Sequence, residues 1–188
     1  MRVKPATDAP EIVMELGPSD AALIEEGSRQ ASPIRIKNIL VPVDFSACSE
    51  KALRYAMPLA EQNKAAITLL HVLLGYVPSG LGTVDYVQLR GEMRASVASQ
   101  LSALAAQEGK ENVEIRFRTA EGDAATEITL GAKSLLADLI VISTHGRTGL
   151  TRALLGSVAE HVVRRAPCPV LVVREREHEF LEALVKTD

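Results

Sequence analysis

Tryptophan is absent from this chain, and Phe and Tyr together supply only 3% of its residues. With so few flat rings, a stacking platform for nucleic-acid bases is excluded. Positive charge is not in surplus either: 21 Lys and Arg stand against 24 Asp and Glu, a formal charge of −3. That excludes a general nucleic-acid or anionic-membrane binder, which needs a basic face. No apolar run approaches the roughly 20 residues of a membrane-spanning helix. Acids and prolines follow Met1-Arg2-Val3-Lys4-Pro5 where a secretory signal would place its apolar core, so none is expected. Cysteine is scarce, and Cys48 and Cys168 suit a reducing cytoplasm in which they need not pair. What is present is ordinary for a soluble domain: 188 residues, 47% hydrophobic and 24% charged, enough for one sizeable core but small for two.

Residues 1–36 carry no sustained period and are broken by Pro5, Pro10, Gly17-Pro18 and Ser32-Pro33. They read as a mobile or loosely docked extension, with Val13, Met14, Leu16, Ala21, Leu23 and Ile24 available for a short docking turn. The domain spans residues 37–174, and 175–188 form a charged tail that could extend as a short helix. Ile36 to Val43 is a buried strand of mostly β-branched residues. Ser46 then caps a helix with Leu53, Ala56, Met57 and Ala60 on its apolar face, which Pro58 should bend or end. Ala66 to Val72 is a second strand, followed by a Gly/Pro-rich loop from Gly75 to Gly82. In the next helix Met93, Val97, Leu101 and Leu104 form one core stripe. Val113, Ile115 and Phe117 alternate as in a strand near a sheet edge. A helix starting at Gly122-Asp123 turns Ile128, Ala132 and Leu135 to one face. Asp138 to Ile142 is the fourth strand, a helix from about Gly156 turns Val158 and Val162 inward, and Val170 to Val173 is the fifth strand.

Strands and helices alternate throughout, which gives an α/β fold: a doubly wound parallel sheet with helices on both faces. Ligands of such sheets bind at the carboxyl ends of strands, where strand order reverses. Two segments qualify by position, Asp44 after the first strand and Ser143 to Gly149 after the fourth. In the second, Ser143-Thr144-His145-Gly146 leads over nine residues to Gly156-Ser157-Val158 at a helix start. Free backbone N–H groups and the positive end of the helix dipole converge there, so the turn can hold an anion such as a phosphate. The plainer alternative is a strand-to-helix connection that uses glycine for its turns. Asp44 likewise either meets a ligand or caps the following helix with Ser46, and the two uses can coexist. Arg147 and Arg152 could add charge-assisted bonds to a phosphate or stand in solvent.

Three segments carry a resemblance to the universal stress protein family: Ile39-Leu40-Val41-Pro42-Val43-Asp44-Phe45-Ser46, Leu69-Leu70-His71-Val72, and Ser143 through Gly156-Ser157 to Cys168-Pro169-Val170-Leu171-Val172-Val173. The resemblance covers roughly Lys37 to Arg174. It implies a five-stranded Rossmann-like sheet in the order 3-2-1-4-5, of the adenine nucleotide alpha hydrolase-like type. It also implies homodimers paired through the last strand, Val170, Leu171, Val172 and Val173. Members with the pattern Gly-x2-Gly-x9-Gly-Ser/Thr bind ATP. Gly146, Gly156 and Ser157 match that pattern, whereas Ser143 stands where its first glycine belongs; a serine is small, and its hydroxyl can itself donate to an oxygen. The implied nucleotide site comprises Pro42, Val43, Asp44, Val72, Ser143, Thr144, His145, Gly146, Arg147, Gly149, Gly156, Ser157 and Val158. Mg2+ or Mn2+ would arrive on the ATP phosphates, keeping several waters.

His71, on an apolar strand, reads as a core histidine with its nitrogens satisfied, and His145 as a residue that orders its loop. No His or Cys cluster has metal-ligand spacing. Cys48, near a helix start, could be a redox-sensitive thiol, but a small buried residue is the commoner case. Three classes compete: a dimeric adenine-nucleotide-binding regulator, a slow ATPase, and a dimeriser without nucleotide. Hydrolysis needs a group that activates water or stabilises charge in flight. The chain has no Gly-x4-Gly-Lys-Ser/Thr loop and no second acid beside Asp44, so the first class is expected, with at most slow hydrolysis. The lone Asp44 also excludes a response-regulator receiver, which needs an acidic pair after its first strand.

Overall fold

A computed structural model of the chain describes residues 2–5, 12–15, 35–75, 83–144 and 155–174. The chain divides into two compact units, Met1–Ile34 and Arg35–Asp188. In the first, β1 (Arg2–Pro5) and β2 (Ile12–Glu15) pair antiparallel, with Arg2 opposite Glu15 and Pro5 opposite Ile12. The sequence pattern gave no strands here, since four-residue segments are too short for a period to register. Residues 175–188, including the helical extension expected there, lie outside the described residues.

The second unit holds β3 (Asn38–Pro42), α1 (Ala47–Asn63), β4 (Ala66–Leu73), α2 (Thr83–Glu108), β5 (Ile115–Glu121), α3 (Ala124–Ser134), β6 (Leu139–Ser143), α4 (Ser157–Arg165) and β7 (Val170–Val173). The five strands form one parallel sheet in the order β5-β4-β3-β6-β7. Numbered within the unit, this is the 3-2-1-4-5 order expected above.

Alternation along the strands sorts the core into two layers. Ile39, Val41, Ile67, Leu69, Leu139 and Val141 pack with Leu53, Ala56 and Ala60 of α1 and Leu101 of α2. Leu40, Leu70, Ile140 and Ile142 pack on the other face with Ile128 and Ala132 of α3 and Ala159 and Val162 of α4. The central strand is buried on both sides, hence its unbroken apolar run.

Three details differ from the sequence pattern. Met93, placed in the core stripe of α2, is 41% exposed, whereas Val97, Leu101 and Leu104 are buried. The 26-residue α2 is about 39 Å long, while the eight-residue β4 spans about 26 Å. Arg90 and Arg94 pair with Glu121, the last residue of β5, so Met93 lies level with the carboxyl edge of the sheet, where α2 runs past it. Val158 is exposed and Ala159 takes the inward position with Val162; both pairs have helical spacing, and only the direction of the preceding turn decides between them. Pro58 does not end α1, which continues to Asn63 and closes on Lys64 in the left-handed region, φ 53°.

Candidate functional site

β3 lies between β4 and β6, so strand order reverses at the β3–β6 boundary. The register Ile39↔Leu139 and Leu40↔Ile140 brings the carboxyl ends of both strands to one edge of the sheet. Pro42 ends β3, with Val43 and Asp44 following it, and Ser143 ends β6, with Thr144 following it. Val72 lies near the carboxyl end of β4, the other neighbour of β3. Asp44 and the described start of the second segment, Ser143 and Thr144, thus lie at one edge of the sheet.

Asp44 sits in a closed hydrogen-bond circuit. Its Oδ1 accepts from the Ser46 amide at 3.1 Å and from the Ser46 hydroxyl at 2.6 Å. The Ser46 Oγ in turn accepts from the Ser49 amide at 3.2 Å, which makes Ser46 the N-cap of α1. Ser49 is 1% exposed; its hydroxyl donates to the Ser46 carbonyl at 2.9 Å and faces the Asp44 amide at 3.4 Å. The capping use of Asp44 is therefore realised through Ser46. It fixes the carboxylate in one orientation at the mouth of the switch point. Ser49 was not legible as part of this circuit, because a serine at the third position of a helix is usually a solvated side chain; its burial is a tertiary fact.

Between Asp44 and Ser46 the chain passes through Phe45 with φ 61°. A left-handed conformation costs a residue with a Cβ about 1–2 kcal/mol. The Phe45 ring lies against the imidazole of His71, centroids 4.8 Å apart and planes tilted by 31°. Buried His71 contacts the Val43 carbonyl through Nδ1 at 2.7 Å. A carbonyl can only accept, so Nδ1 carries the hydrogen. His71 is thus a core histidine with a partner, as its strand position suggested, and it grips the turn that presents Asp44.

On the β6 side, Ser143 and Thr144 are both buried. Strand alternation places Ser143 on the α1 face with Leu139 and Val141. The Thr144 amide donates to the Val173 carbonyl at 2.8 Å, and the Thr144 carbonyl accepts from the Gly156 amide at 2.8 Å. Thr144 and Gly156 are thereby held side by side. Gly156 is the N-cap of α4 and has no side chain with which to cap its first-turn N–H groups. Those donors, with the hydroxyl of exposed Ser157 beside them, make a place for an anion. His145, Gly146, Arg147, Gly149 and Arg152 lie outside the described residues.

Cys48 is buried in the first turn of α1, and Cys168 is half-buried; both are free. Burial, and secondarily the charge of Asp138, pushes the Cys168 thiol up, away from the reactive thiolate. Among the described residues, no group of three or more His, Cys, Asp or Glu could hold a metal ion.

Residues 35–174 match the sequence model of the Universal stress protein family. A universal stress protein of Methanocaldococcus jannaschii is 35% identical over 144 residues, 76% of this chain and 85% of that protein. Among solved structures, a universal stress protein from Lactobacillus plantarum superposes with a TM-score of 0.61 at 27% identity, covering 74% of this chain and 99% of that one. Two others share the fold at lower identity. A universal stress protein in complex with cAMP has a TM-score of 0.55 at 22% identity, covering 74% of this chain and 97% of its own. One from Archaeoglobus fulgidus in complex with dAMP has a TM-score of 0.51 at 23%, covering 74% and 98%.

Proposed function

The chain belongs to the universal stress protein family, and from that premise we propose that it is a regulatory module that binds an adenine nucleotide, ATP above all. The observation that carries this reading is the Thr144–Gly156 hydrogen bond, which ties a helix N-terminus whose cap residue has no side chain to the residue that follows β6 at the switch point. Phosphates would be held by the N–H groups of Gly156, Ser157 and Val158 and by the Ser157 hydroxyl, with the 145–149 segment completing the cradle. The adenosine would lie by Pro42, Val43 and Val72, with Asp44 accepting from ribose or base. Mg2+ or Mn2+ would enter on the phosphates. The cAMP and dAMP carried by two fold relatives agree with an adenylate here. Neither a phosphate-loop lysine nor a second acid beside Asp44 is present in the sequence, so turnover is slow or nil and the output is a bound state read by partners.

The two sheet edges support pairing of two copies through β7. Edge strand β5 carries Arg116, Arg118 and Glu121, charges of the kind that keep an edge from pairing. Edge strand β7 is Val170-Leu171-Val172-Val173, with no charge and with Leu171 exposed. Its free thiols suit the cytoplasm, and among the described residues no helix is long and apolar enough to cross a membrane.

Ser143, in place of the pattern's first glycine, favours one second reading: a dimeriser without nucleotide. The deciding experiment is to denature the purified protein, identify any nucleotide released, and titrate the refolded protein with ATP and magnesium. Released adenylate, or saturable ATP binding, supports the module. A blank in both supports the second reading.

A further inference from the structure

We propose that His71 is the positioning residue of the candidate site: its imidazole holds the Val43–Phe45 turn in the one conformation that aims the Asp44 carboxylate at the ligand. This rests on the assignment of Asp44 to the nucleotide.

The β3–β4 ladder ends at Pro42↔Leu70, with one further bond from the Val43 amide to the Leu70 carbonyl at 2.8 Å. Beyond that, the backbone leaves the strand to make its turn. At the point of departure a side chain takes over: His71 Nδ1–H donates to the Val43 carbonyl at 2.7 Å. Two residues later Phe45 adopts φ 61°, a region that a bulky side chain avoids. Its ring rests on the same imidazole, 4.8 Å between centroids. One side chain therefore grips both ends of the turn, by a hydrogen bond before Asp44 and by ring contact after it.

The strained residue explains why the grip is needed. Phe45 in the left-handed region reverses the chain so that the Ser46 amide and hydroxyl reach back to Asp44 Oδ1. A relaxed Phe45 would swing the Ser46 amide out of that position and release the carboxylate. Backbone strain of this kind persists only where surroundings over-determine it, and it concentrates at ligand sites. Packing alone would ask only for an apolar residue of similar size at position 71. The buried donor and its alignment with the Val43 carbonyl ask for more than that.

The test compares His71→Leu, which fills the space without a donor, with His71→Asn, whose side-chain amide keeps a donor near the Nδ1 position. Phe45→Leu removes the ring contact at a half-buried position. Two quantities are read in each full-length variant: the dissociation constant for ATP by calorimetry, and hydrogen exchange at the Ser46 amide. His71→Leu and Phe45→Leu are expected to bind ATP about tenfold more weakly, the scale of one hydrogen bond to a charged group. Ser46 exchange should quicken in both, while amides deep in α1 stay protected. His71→Asn should recover most of the affinity and of the Ser46 protection. Wild-type affinity and Ser46 protection in His71→Leu would overturn the proposal, as would equal losses in the Leu and Asn variants. If the wild-type protein takes up no ATP, the functional reading fails instead. Ser46 exchange then decides alone: unchanged protection in His71→Leu overturns the positioning role, and loss restored by Asn upholds it.

Discussion

The Gly156 amide donates to the Thr144 carbonyl across 2.8 Å, and the Thr144 amide donates to Val173 at the same distance. One residue thus links the start of α4 to the end of β7. Gly156 itself has φ −60° and ψ 149°, a conformation open to any residue. Glycine is not needed there for the backbone; under the proposed function its missing Cβ leaves room for a phosphate. Gly156→Val should cost at most about 1 kcal/mol of stability, yet weaken ATP binding by about a hundredfold. Calorimetric titration beside a thermal melt checks both. Unchanged ATP affinity would remove the phosphate from this position.

A dimer formed through β7 makes a second, independent prediction. Leu171 is 37% exposed at the centre of an uncharged edge strand. Leu171→Asp would place like charges near one another in two paired copies and leave the core layers untouched. Light scattering should then give half the wild-type mass. A variant that keeps the wild-type mass would place the contact elsewhere.

Much of this fold could be read from the residues because the signals are local. The run Ile39-Leu40-Val41 announces a strand buried on both faces, and Ser46 and Asp123 announce the helices they cap. The crevice followed from the alternation of elements, since a doubly wound sheet has few places where strand order reverses. The rest depends on distances that no period encodes. A stripe through Met93 specifies a helix face but not how much of it the sheet covers. Val158 and Ala159, four and three residues before Val162, both have helical spacing to it and compete for one inward direction. His71 could be identified as a buried histidine. Its grip on Val43 and Phe45 appears only when β3 and β4 are set side by side, and the left-handed turn at Phe45 has no signature in a residue so unsuited to it.

Leu136 offers a test of backbone strain away from the site. It has φ 49° and is 78% exposed, so it bears the left-handed cost and buries little in return. Asparagine tolerates that region far better than leucine. Leu136→Asn should raise stability by about 1 kcal/mol. Urea unfolding would show this as a higher midpoint with an unchanged slope. A lower midpoint would mean that the leucine makes contacts worth more than its strain.

The last prediction concerns acid stability at the start of α3. Asp123 Oδ1 accepts from the Thr126 hydroxyl at 2.7 Å and from the Thr126 amide at 2.9 Å. These bonds, the hydroxyl's first, hold the carboxyl below the ordinary aspartate range, with a smaller contribution from His161. A carboxyl whose folded value is depressed stabilises the fold fully above its unfolded value, about 3.9. That contribution fades as pH falls through the folded value, because the unfolded chain binds the proton first. Asp123→Asn keeps a capping oxygen but cannot titrate. Its stability should therefore vary less than that of the wild type as pH falls below about 4. Chemical denaturation across that range measures the difference in slope. Parallel curves for the two proteins would mean that the cap contributes nothing dependent on its charge.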